Sequence, residues 1–373
     1  MERNVELSRG NLSVSVTQHH QSWELDSLLD FAERINPKRA FLFVSKVLGK
    51  HIPVKPVLMN ESYKNLTAII PENLPTPLTV VGMAETAVCL GAGVYRELKK
   101  SYGRDAVFMT TTRHPAKHLP VLSEFLEEHS HAQDQLIYGS NDKEIQEHIE
   151  SSRTLILVDD EISTGKTFKN LIKSLLNSDL KKVERIILVS LVNWNDGNLE
   201  DTFMGIPIES IALLHGNWSW TSNNVALTQT MPNVATTAHG THEIIAPVTW
   251  GREPSFLEQH DLPKFNPIQK GEKVLVLGSG EFLWLPFLIA EHLEQEGHDV
   301  YFSSTTRSPI MEGKAIKSIC AFQDNYGLGI VNYAYNVKDK DFDRVLLVVE
   351  TPKTSVDSTL YSEIKNLEVV SYE

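Results

Sequence analysis

The chain has few cysteines, no excess of positive charge and no long hydrophobic run. Cys89 and Cys320 are its two cysteines, and both stand in apolar surroundings, so we expect two buried thiols. A formal net charge of −13 argues against non-specific binding to nucleic acids or membrane surfaces. No apolar run reaches the ~18 residues that a membrane-spanning helix needs. Residues 1–10 are too polar for a signal peptide, so we expect a cytoplasmic protein.

The 373 residues suffice for two domains with separate cores. From residue 78 onward, short apolar strands alternate with helical patterns; strands at 155–158 and 185–192 flank a helix at 167–178. This alternation predicts an α/β fold with a parallel sheet covered on both faces.

The segments before residue 78 are more varied. Residues 11–18 alternate polar and apolar side chains, which predicts an edge strand or a hairpin arm. Residues 25–36 predict a helix that ends before Pro37, and residues 40–48 also have helical spacing. Three prolines within residues 71–77 predict a loop.

A segment poor in charge, residues 221–242, indicates a linker or an embracing arm, and a second α/β region begins near residue 273. We therefore expect two domains, residues 1–240 and residues 241–373. The two regions resemble each other: each has a strand, a glycine, a glutamate three residues later, a helix, a second strand and the sequence Thr-Thr-Arg-x-Pro. The corresponding positions are Gly82 and Gly278, Glu85 and Glu281, and residues 111–115 and 305–309. This correspondence favours an internal duplication.

Residues 155–167, LILVDDEISTGKT, form the most informative motif. An apolar strand leads into Asp159 and Asp160, and a loop rich in hydroxyls precedes a helix. Helix N-termini bind anions, and adjacent carboxylates repel each other unless a ligand or metal compensates them. The alternative is a helix cap beside a solvated acid. The motif thus favours a ligand with a phosphate and vicinal hydroxyls.

Two similar motifs are excluded by their spacing. A nucleotide-triphosphate loop ending at Gly165-Lys166-Thr167 would need a second glycine at position 160, which is Asp160. A dinucleotide fingerprint beginning at Gly278 would need glycine at position 283, which is Leu283.

The motif resembles the phosphoribosyl diphosphate (PRPP) signature of type I phosphoribosyltransferases. The resemblance implies their fold, a parallel sheet flanked by helices with a small hood. It implies that Asp159 and Asp160 bind the ribose hydroxyls. It also implies that the following loop holds the 5′-phosphate through Ser163, Thr164, Gly165, Lys166 and Thr167.

The same resemblance gives roles to two further loops. The loop after the first core strand would hold pyrophosphate, through Gly82, Met83, Ala84, Glu85 and Thr86. Glu85 would repel pyrophosphate unless Mg²⁺ bridges them; alternatively it is a first-turn helix acid. By similarity to the mobile loop of orotate-type enzymes, Arg113 and Lys117 would support the leaving pyrophosphate. Mg²⁺ would arrive with PRPP, with the two aspartates as candidate ligands.

Candidates for contacts with the acceptor are fewer. His129 and His131 lie in an EEHSH stretch, which is either a solvated loop or a substrate contact, because no third metal ligand has suitable spacing. Trp218 and Trp220 could stack on a planar base, or equally pack in the core or between hood and body.

Most of the chain resembles a narrower group, the two-domain phosphoribosyltransferases of bacterial tellurium-resistance (Ter) stress gene clusters, whose C-terminal half is the TRSP domain. The resemblance lies in residues 38–54 (KRAFLFVSKVLGKHIPV), EEHSHA, TTRHP and the TRSP sequence at residues 306–309. It implies an orotate-transferase-like enzyme that makes a nucleoside-like metabolite from PRPP and a base-like acceptor. It also implies other Ter-cluster enzymes as partners, whereas the wider resemblance to type I phosphoribosyltransferases implies a homodimer.

The second half departs from the signature. Val349-Glu350 replaces the acid pair, and residues 352–355 (PKTS) lack the glycine that close approach to a phosphate needs. We expect a degenerate copy that cannot bind PRPP. Glu281, Thr306 and Arg307 would remain as a half-site for an anionic group.

Two alternative functions stay open at this point. One is a non-catalytic, PRPP- or nucleotide-binding regulatory protein, which Glu85 in the pyrophosphate loop favours. The other is a PRPP synthetase-like enzyme with two tandem domains, although the chain has no evident ATP site.

Overall fold

The computed structural model describes residues 1–37, 39–126, 134–195, 201–225, 227, 240–247, 250–258, 261–338 and 342–373. The helices and strands of the first half are β1 (Glu2–Leu7), β2 (Gly10–His19), α1 (Leu25–Leu28), β3 (Leu29–Glu33), β4 (Phe41–Ser45), α2 (Pro56–Ala68), β5 (Leu78–Gly82), α3 (Val88–Tyr102), β6 (Ala106–Thr110), β7 (Val121–Leu126), β8 (Asp134–Tyr138), α4 (Lys143–Ser151), β9 (Thr154–Ile162), α5 (Lys166–Asn177), β10 (Arg185–Asn193), β11 (Thr202–Phe203) and β12 (Ile206–Ser222). Those of the second half are β13 (Lys273–Gly278), α6 (Trp284–Gln295), β14 (Asp299–Ser304), β15 (Ile319–Gln323), β16 (Val331–Tyr335), β17 (Arg344–Val348), α7 (Ser358–Glu363) and β18 (Leu367–Val370).

The first half is built on one sheet with the strand order β1-β2-β12-β10-β9-β5-β6, with β11 paired to β12. Strands β6, β5, β9, β10 and β12 are parallel, and β1 and β2 add an antiparallel edge. Residues 155–158 of β9 are fully buried, as expected for a strand covered on both faces. The predicted α/β fold with a parallel sheet is confirmed.

The hood, which we define as residues 25–51, has a different secondary structure from the one predicted. Residues 25–36 form the short helix α1 and strand β3, and residues 40–48 contain strand β4, which pairs with β3 in antiparallel register. Phe41 and Phe43 are buried while Leu42 between them is partly exposed. The prediction of two helices is wrong because short apolar runs fit either period, and the aromatic and β-branched side chains here favour the strand.

The second half repeats the core of the first. Its sheet has the order β14-β13-β17-β18, which matches β6-β5-β9-β10 element by element, and the hairpin β15–β16 corresponds to β7–β8. The turns also match: the Ala84 N–H donates to the Thr111 hydroxyl at 2.8 Å, and the Gly280 N–H donates to the Thr305 hydroxyl at 2.9 Å. The second α/β region thus resembles the first, as expected from the Thr-Thr-Arg-x-Pro repeat.

The two halves pack closely. Backbone bridges join Arg34 to Ile310 and Val54 to Phe302, and one hydrophobic cluster includes side chains from both halves. Residues 228–239 lie outside the described residues, so the domain boundary at residue 240 stays a prediction. The two cysteines are buried and free, as expected. Within the described ranges, no helix is both long and apolar enough to span a membrane.

Candidate active site

A cavity of about 220 Å³ lies at the carboxyl edge of the first sheet. Its walls come from the hood, the loop after β5, the end of β9, the start of α5 and residues 306–308 of the second half. Ligands of open α/β sheets bind at this edge. The acid pair, the two predicted phosphate loops and part of the predicted second-half site therefore meet in one place.

Asp159 and Asp160 lie within the last four residues of β9, beyond the end of β5, where Gly82 pairs with Val158. The Thr86 hydroxyl donates to Oδ1 of Asp160 at 3.0 Å and lies 3.4 Å from Oδ1 of Asp159. Burial, and then the charge of neighbouring Glu161, raise the pKa of Asp160 above its ordinary value. The pair therefore favours a bound cation or hydroxyl donors.

The predicted 5′-phosphate loop turns at Gly165, whose φ of 73° is left-handed and suits glycine. Helix α5 begins at the next residue, and its first N–H groups have no partner within the helix. Ser163 and Thr167 line the cavity, whereas Thr164 and Lys166 are exposed. The loop thus presents a helix N-terminus and two hydroxyls beside the acid pair.

Four of the five residues in the predicted pyrophosphate loop, from Met83 to Thr86, line the cavity. The fifth, Gly82, is buried in the sheet. A Cβ atom there would lie 2.9 Å from the carbonyl oxygen of Ala87, so this glycine allows close packing of the turn. The peptide between Ala84 and Glu85 is cis.

Lys50 compensates the charge of Glu85. Its Nζ lies 2.5 Å from the Glu85 carboxylate and donates to the carbonyl oxygen of Thr305 at 2.8 Å, with both charged side chains largely buried. Burial alone would raise the pKa of Glu85, but Lys50, Arg113 and Arg307 outweigh it and hold the pKa below its ordinary value. Lys50 is not among the site residues predicted from the sequence. Its only signal in the sequence is its position among the basic and apolar residues of 38–54.

Arg113 lines the cavity and is 6% exposed. Its backbone N–H donates to Oε1 of Glu281 at 2.9 Å, and the Thr112 hydroxyl donates to Oε2 of the same carboxylate. Lys117, by contrast, is exposed and does not line the cavity. The structure therefore brings Arg113 to the site but leaves Lys117 outside it.

The predicted half-site of the second half is divided. Thr306 and Arg307 line the cavity of the first half, and Nη2 of Arg307 lies 3.3 Å from Nε2 of His114. Burial, and then the charge of Arg307, lower the pKa of His114 well below its ordinary value, so its imidazole is neutral. Glu281 faces the turn at Arg113 instead. These residues join the first-half site and do not enclose a separate one.

In the second half, the carboxylate at the position equivalent to the acid pair is bound by other side chains of the same half. Glu350, at the position equivalent to Asp160, is fully buried. It accepts from Arg252 at 2.7 and 3.2 Å and from the Tyr326 hydroxyl at 2.8 Å. This arrangement agrees with the expected degeneration of the second copy.

The hood contributes contacts that were not predicted, because its strands were interpreted as helices. Arg39 pairs with Glu161 at 2.7 Å and lies over the ring of Phe41, while the ring of Phe43 stacks on Trp194 at 4.5 Å. Arg34, Phe43 and His51 line the cavity. The hood therefore supplies both aromatic and basic groups to the site.

The four acceptor candidates form two pairs, one of tryptophans and one of histidines, with different outcomes. Trp218 lies within β12 and packs edge-on against Phe41 at 4.8 Å, outside the cavity lining, so its place is a contact between hood and body. Trp220 also packs against Phe41. His129 and His131 lie outside the described residues. Among the residues whose positions are described, no three His, Cys, Asp or Glu side chains converge as a metal-binding group.

Comparison with known proteins finds similar solved structures, at low sequence identity and low TM-score. Solved structures with a similar fold include adenine phosphoribosyltransferase from Trypanosoma brucei in complex with AMP, pyrophosphate and ribose-5-phosphate; it is 14% identical, with 50% of this chain and 76% of that chain covered and a TM-score of 0.34. Adenine phosphoribosyltransferase from Rhodothermus marinus is 17% identical, with 50% and 94% covered and a TM-score of 0.34. Hypoxanthine phosphoribosyltransferase from Staphylococcus aureus is 17% identical, with 44% and 77% covered and a TM-score of 0.26.

Among curated proteins, none matches the chain. Residues 28–217 match the family described as phosphoribosyl transferase, and residues 257–364 match the TRSP domain that follows it. The chain therefore belongs to the phosphoribosyltransferase family and carries a C-terminal TRSP domain.

Proposed function

We propose that this protein transfers ribose 5-phosphate from PRPP to a nitrogenous base or base-like acceptor and releases pyrophosphate. The observation that carries the proposal is the convergence of the acid pair, the helix N-terminus of α5 and the loop after β5 on one cavity. These three features match the three parts of PRPP, which are the ribose hydroxyls, the 5′-phosphate and the diphosphate.

In this proposal, each part of PRPP is assigned to the residues that match its charge and hydrogen-bonding groups. Asp159 and Asp160 accept hydrogen bonds from the ribose 2′- and 3′-hydroxyls. The hydroxyls of Ser163 and Thr167, with the first N–H groups of α5, bind the 5′-phosphate. The loop from Met83 to Thr86 and the guanidinium of Arg113 then face the diphosphate at C1 of the ribose.

Magnesium fits this donor set. Burial, and then the charge of Glu161, raise the pKa of Asp160, and a cation would compensate the negative charge of these carboxylates. Mg²⁺ in such sites uses one or two carboxylates and takes its other ligands from substrate phosphates and water. Asp159 and Asp160 would hold it together with PRPP oxygens, and the ion would neutralise charge on the diphosphate.

The reaction itself is a substitution at C1. The C1–O bond to pyrophosphate breaks, its electron pair leaves with pyrophosphate, and positive charge develops on the ribosyl ring. The carboxylates of the acid pair lie close to that charge, and Arg113 stabilises the departing anion. The acceptor nitrogen bonds to C1, and its proton passes to an oxygen of the released pyrophosphate. The hood and the second half form walls of the cavity and, with the acceptor bound, would limit the access of water, which would otherwise hydrolyse PRPP.

The acceptor side faces the hood. Leu42 and Phe43 offer apolar and aromatic surface, and Arg34 and His51 offer polar groups around it. A planar heterocycle with polar substituents suits this wall. We include in the proposal a role in a nucleoside-like metabolite pathway of the tellurite or stress response, in the cytoplasm.

The test is incubation with PRPP, Mg²⁺ and a cell extract, followed by mass spectrometry for a new ribosyl-5′-phosphate adduct and an assay of pyrophosphate. We expect an adduct with the wild-type protein and none with the double variant Asp159→Asn, Asp160→Asn. Asp261→Asn, an exposed position, is the matched control and should behave as wild type. Pyrophosphate release by the double variant at the wild-type rate would contradict the proposed function. PRPP binding without any pyrophosphate release would favour the regulatory alternative.

A further inference from the structure

The two Thr-Thr-Arg-x-Pro turns occupy equivalent positions in the two halves, yet their arginines line the same cavity. Arg113 follows β6 and Arg307 follows β14, and the turns are held by matching hydrogen bonds to the loops after β5 and β13. The exposed fractions of the two residues are 6% and 8%. The halves therefore face each other with their equivalent turns around one site.

Both arginines act electrostatically on the same carboxylate, that of Glu85. Burial would raise the pKa of Glu85, yet the charges of Lys50, Arg113 and Arg307 hold it low. Glu85 belongs to the loop that faces the diphosphate under the proposed function. Arg113 and Arg307 also line the same cavity as Glu85, so both lie beside an anion bound at this loop.

The second half lacks the free acid pair and the glycine turn that the first half would use for the same ligand. Glu350, equivalent to Asp160, is fully buried and paired with Arg252 and Tyr326. Its phosphate loop lacks glycine. Thr306 and Arg307 nevertheless line the first-half cavity, and the backbone carbonyl of Thr305 accepts from Lys50.

We propose that Arg113 and Arg307 together bind the diphosphate of the substrate, so that the second half completes the transferase site. This inference rests on the proposed function. Guanidinium groups bind phosphate oxygens with two parallel hydrogen bonds, and a pair from opposite sides suits a diphosphate with several charged oxygens. The degenerate copy thus acts as a fixed partner within one chain and supplies a residue that the first half lacks.

The test uses the full chain and three ligands measured by calorimetry: PRPP, pyrophosphate and ribose 5-phosphate, which lacks the diphosphate. Arg307→Ala should weaken PRPP and pyrophosphate binding about 10- to 100-fold, since it removes charge-assisted hydrogen bonds. Ribose 5-phosphate should bind within about twofold of wild type, because the α5 loop is unchanged. Arg307→Lys should recover part of the loss, because it restores the charge without the planar geometry.

Arg344→Ala is the matched control, since Arg344 lies in the second half and pairs with Glu272 and Glu368 away from the cavity. Arg307→Gln replaces the alanine variant if that one does not fold. Unchanged pyrophosphate binding in Arg307→Ala and Arg307→Gln would overturn the inference, as would an equal loss for ribose 5-phosphate. Failure of the wild type to bind PRPP or pyrophosphate would overturn the proposed function as well, so the two failures are distinguishable.

Discussion

The carboxylate of Glu281 in the second half accepts a hydrogen bond from the backbone N–H of Arg113 in the first half, at 2.9 Å. The equivalent glutamate of the first half, Glu85, has its pKa held low by the charges of Lys50, Arg113 and, in the second half, Arg307. The loop glutamates of both halves therefore interact across the interface, Glu281 by hydrogen bonds to the turn at Arg113 and Glu85 through the charge of Arg307. These interactions explain why the interface between the halves and the candidate active site are the same region.

Glu281→Gln should weaken PRPP binding by about tenfold. Loss of the anionic acceptor loosens the turn at Thr112 and Arg113. A hydrogen bond to a charged group contributes about 1.5–3 kcal/mol. Glu291→Gln is a matched control, since Glu291 also joins the halves, through Arg96, but lies outside the cavity lining. Calorimetric titration with PRPP measures both. Equal losses in the two variants would show that Glu281 acts only through the packing of the halves.

Lys50→Met should lower PRPP affinity more than the double variant Lys50→Met, Glu85→Gln does. The single variant removes the direct ion-pair partner of the buried Glu85 carboxylate in the predicted pyrophosphate loop, whereas the double variant removes the charge together with its partner. A double-mutant cycle on the dissociation constant of PRPP measures the coupling. Additive effects of the two substitutions would contradict the role assigned to this ion pair.

His51 should make the protein less stable at acidic pH. Burial, and then the charge of Lys50, lower its pKa from 6.5 to about 3, so the folded state binds fewer protons than the unfolded state between these values. The free energy of unfolding therefore falls as pH drops below 6.5, by up to about 1.4 kcal/mol per pH unit for one histidine. Chemical denaturation at pH 7.5 and pH 5 measures this.

His51→Gln should show a smaller loss of stability between those two pH values, because its side chain does not titrate. His19→Gln, which replaces an exposed histidine, should keep the wild-type loss. The prediction fails if both variants lose as much stability as the wild type.

Arg252→Met should destabilise the protein by about 3–5 kcal/mol, because it leaves the fully buried carboxylate of Glu350 without its cationic partner. The double variant Arg252→Met, Glu350→Gln should recover most of this loss, since the neutral amide still accepts from Tyr326. Arg344→Met, which breaks a more exposed ion pair, should cost no more than about 1 kcal/mol. Urea denaturation provides the values, and equal costs for Arg252 and Arg344 would contradict the prediction.

The sequence by itself determined the parts of the molecule whose physics is local. The strand at residues 155–158, the acid pair, the turn at Gly165 and helix α5 lie within one continuous segment, and the structure places them as this segment predicts. The duplication was visible for the same reason, because each copy of Gly82 to Arg113 and of Gly278 to Arg307 is a contiguous pattern of strand, turn and helix. The α/β fold follows from these patterns.

Only the tertiary structure decided the hood and the relation between the halves. Residues 40–48 have an ambiguous period, and pairing with β3 made them a strand. Lys50 neutralises Glu85, Glu281 holds the turn at Arg113, and Arg307 enters the first-half cavity. These contacts join residues that are 35 to nearly 200 positions apart, and their partners are chosen by packing and charge compensation in space, which no local pattern of residues encodes.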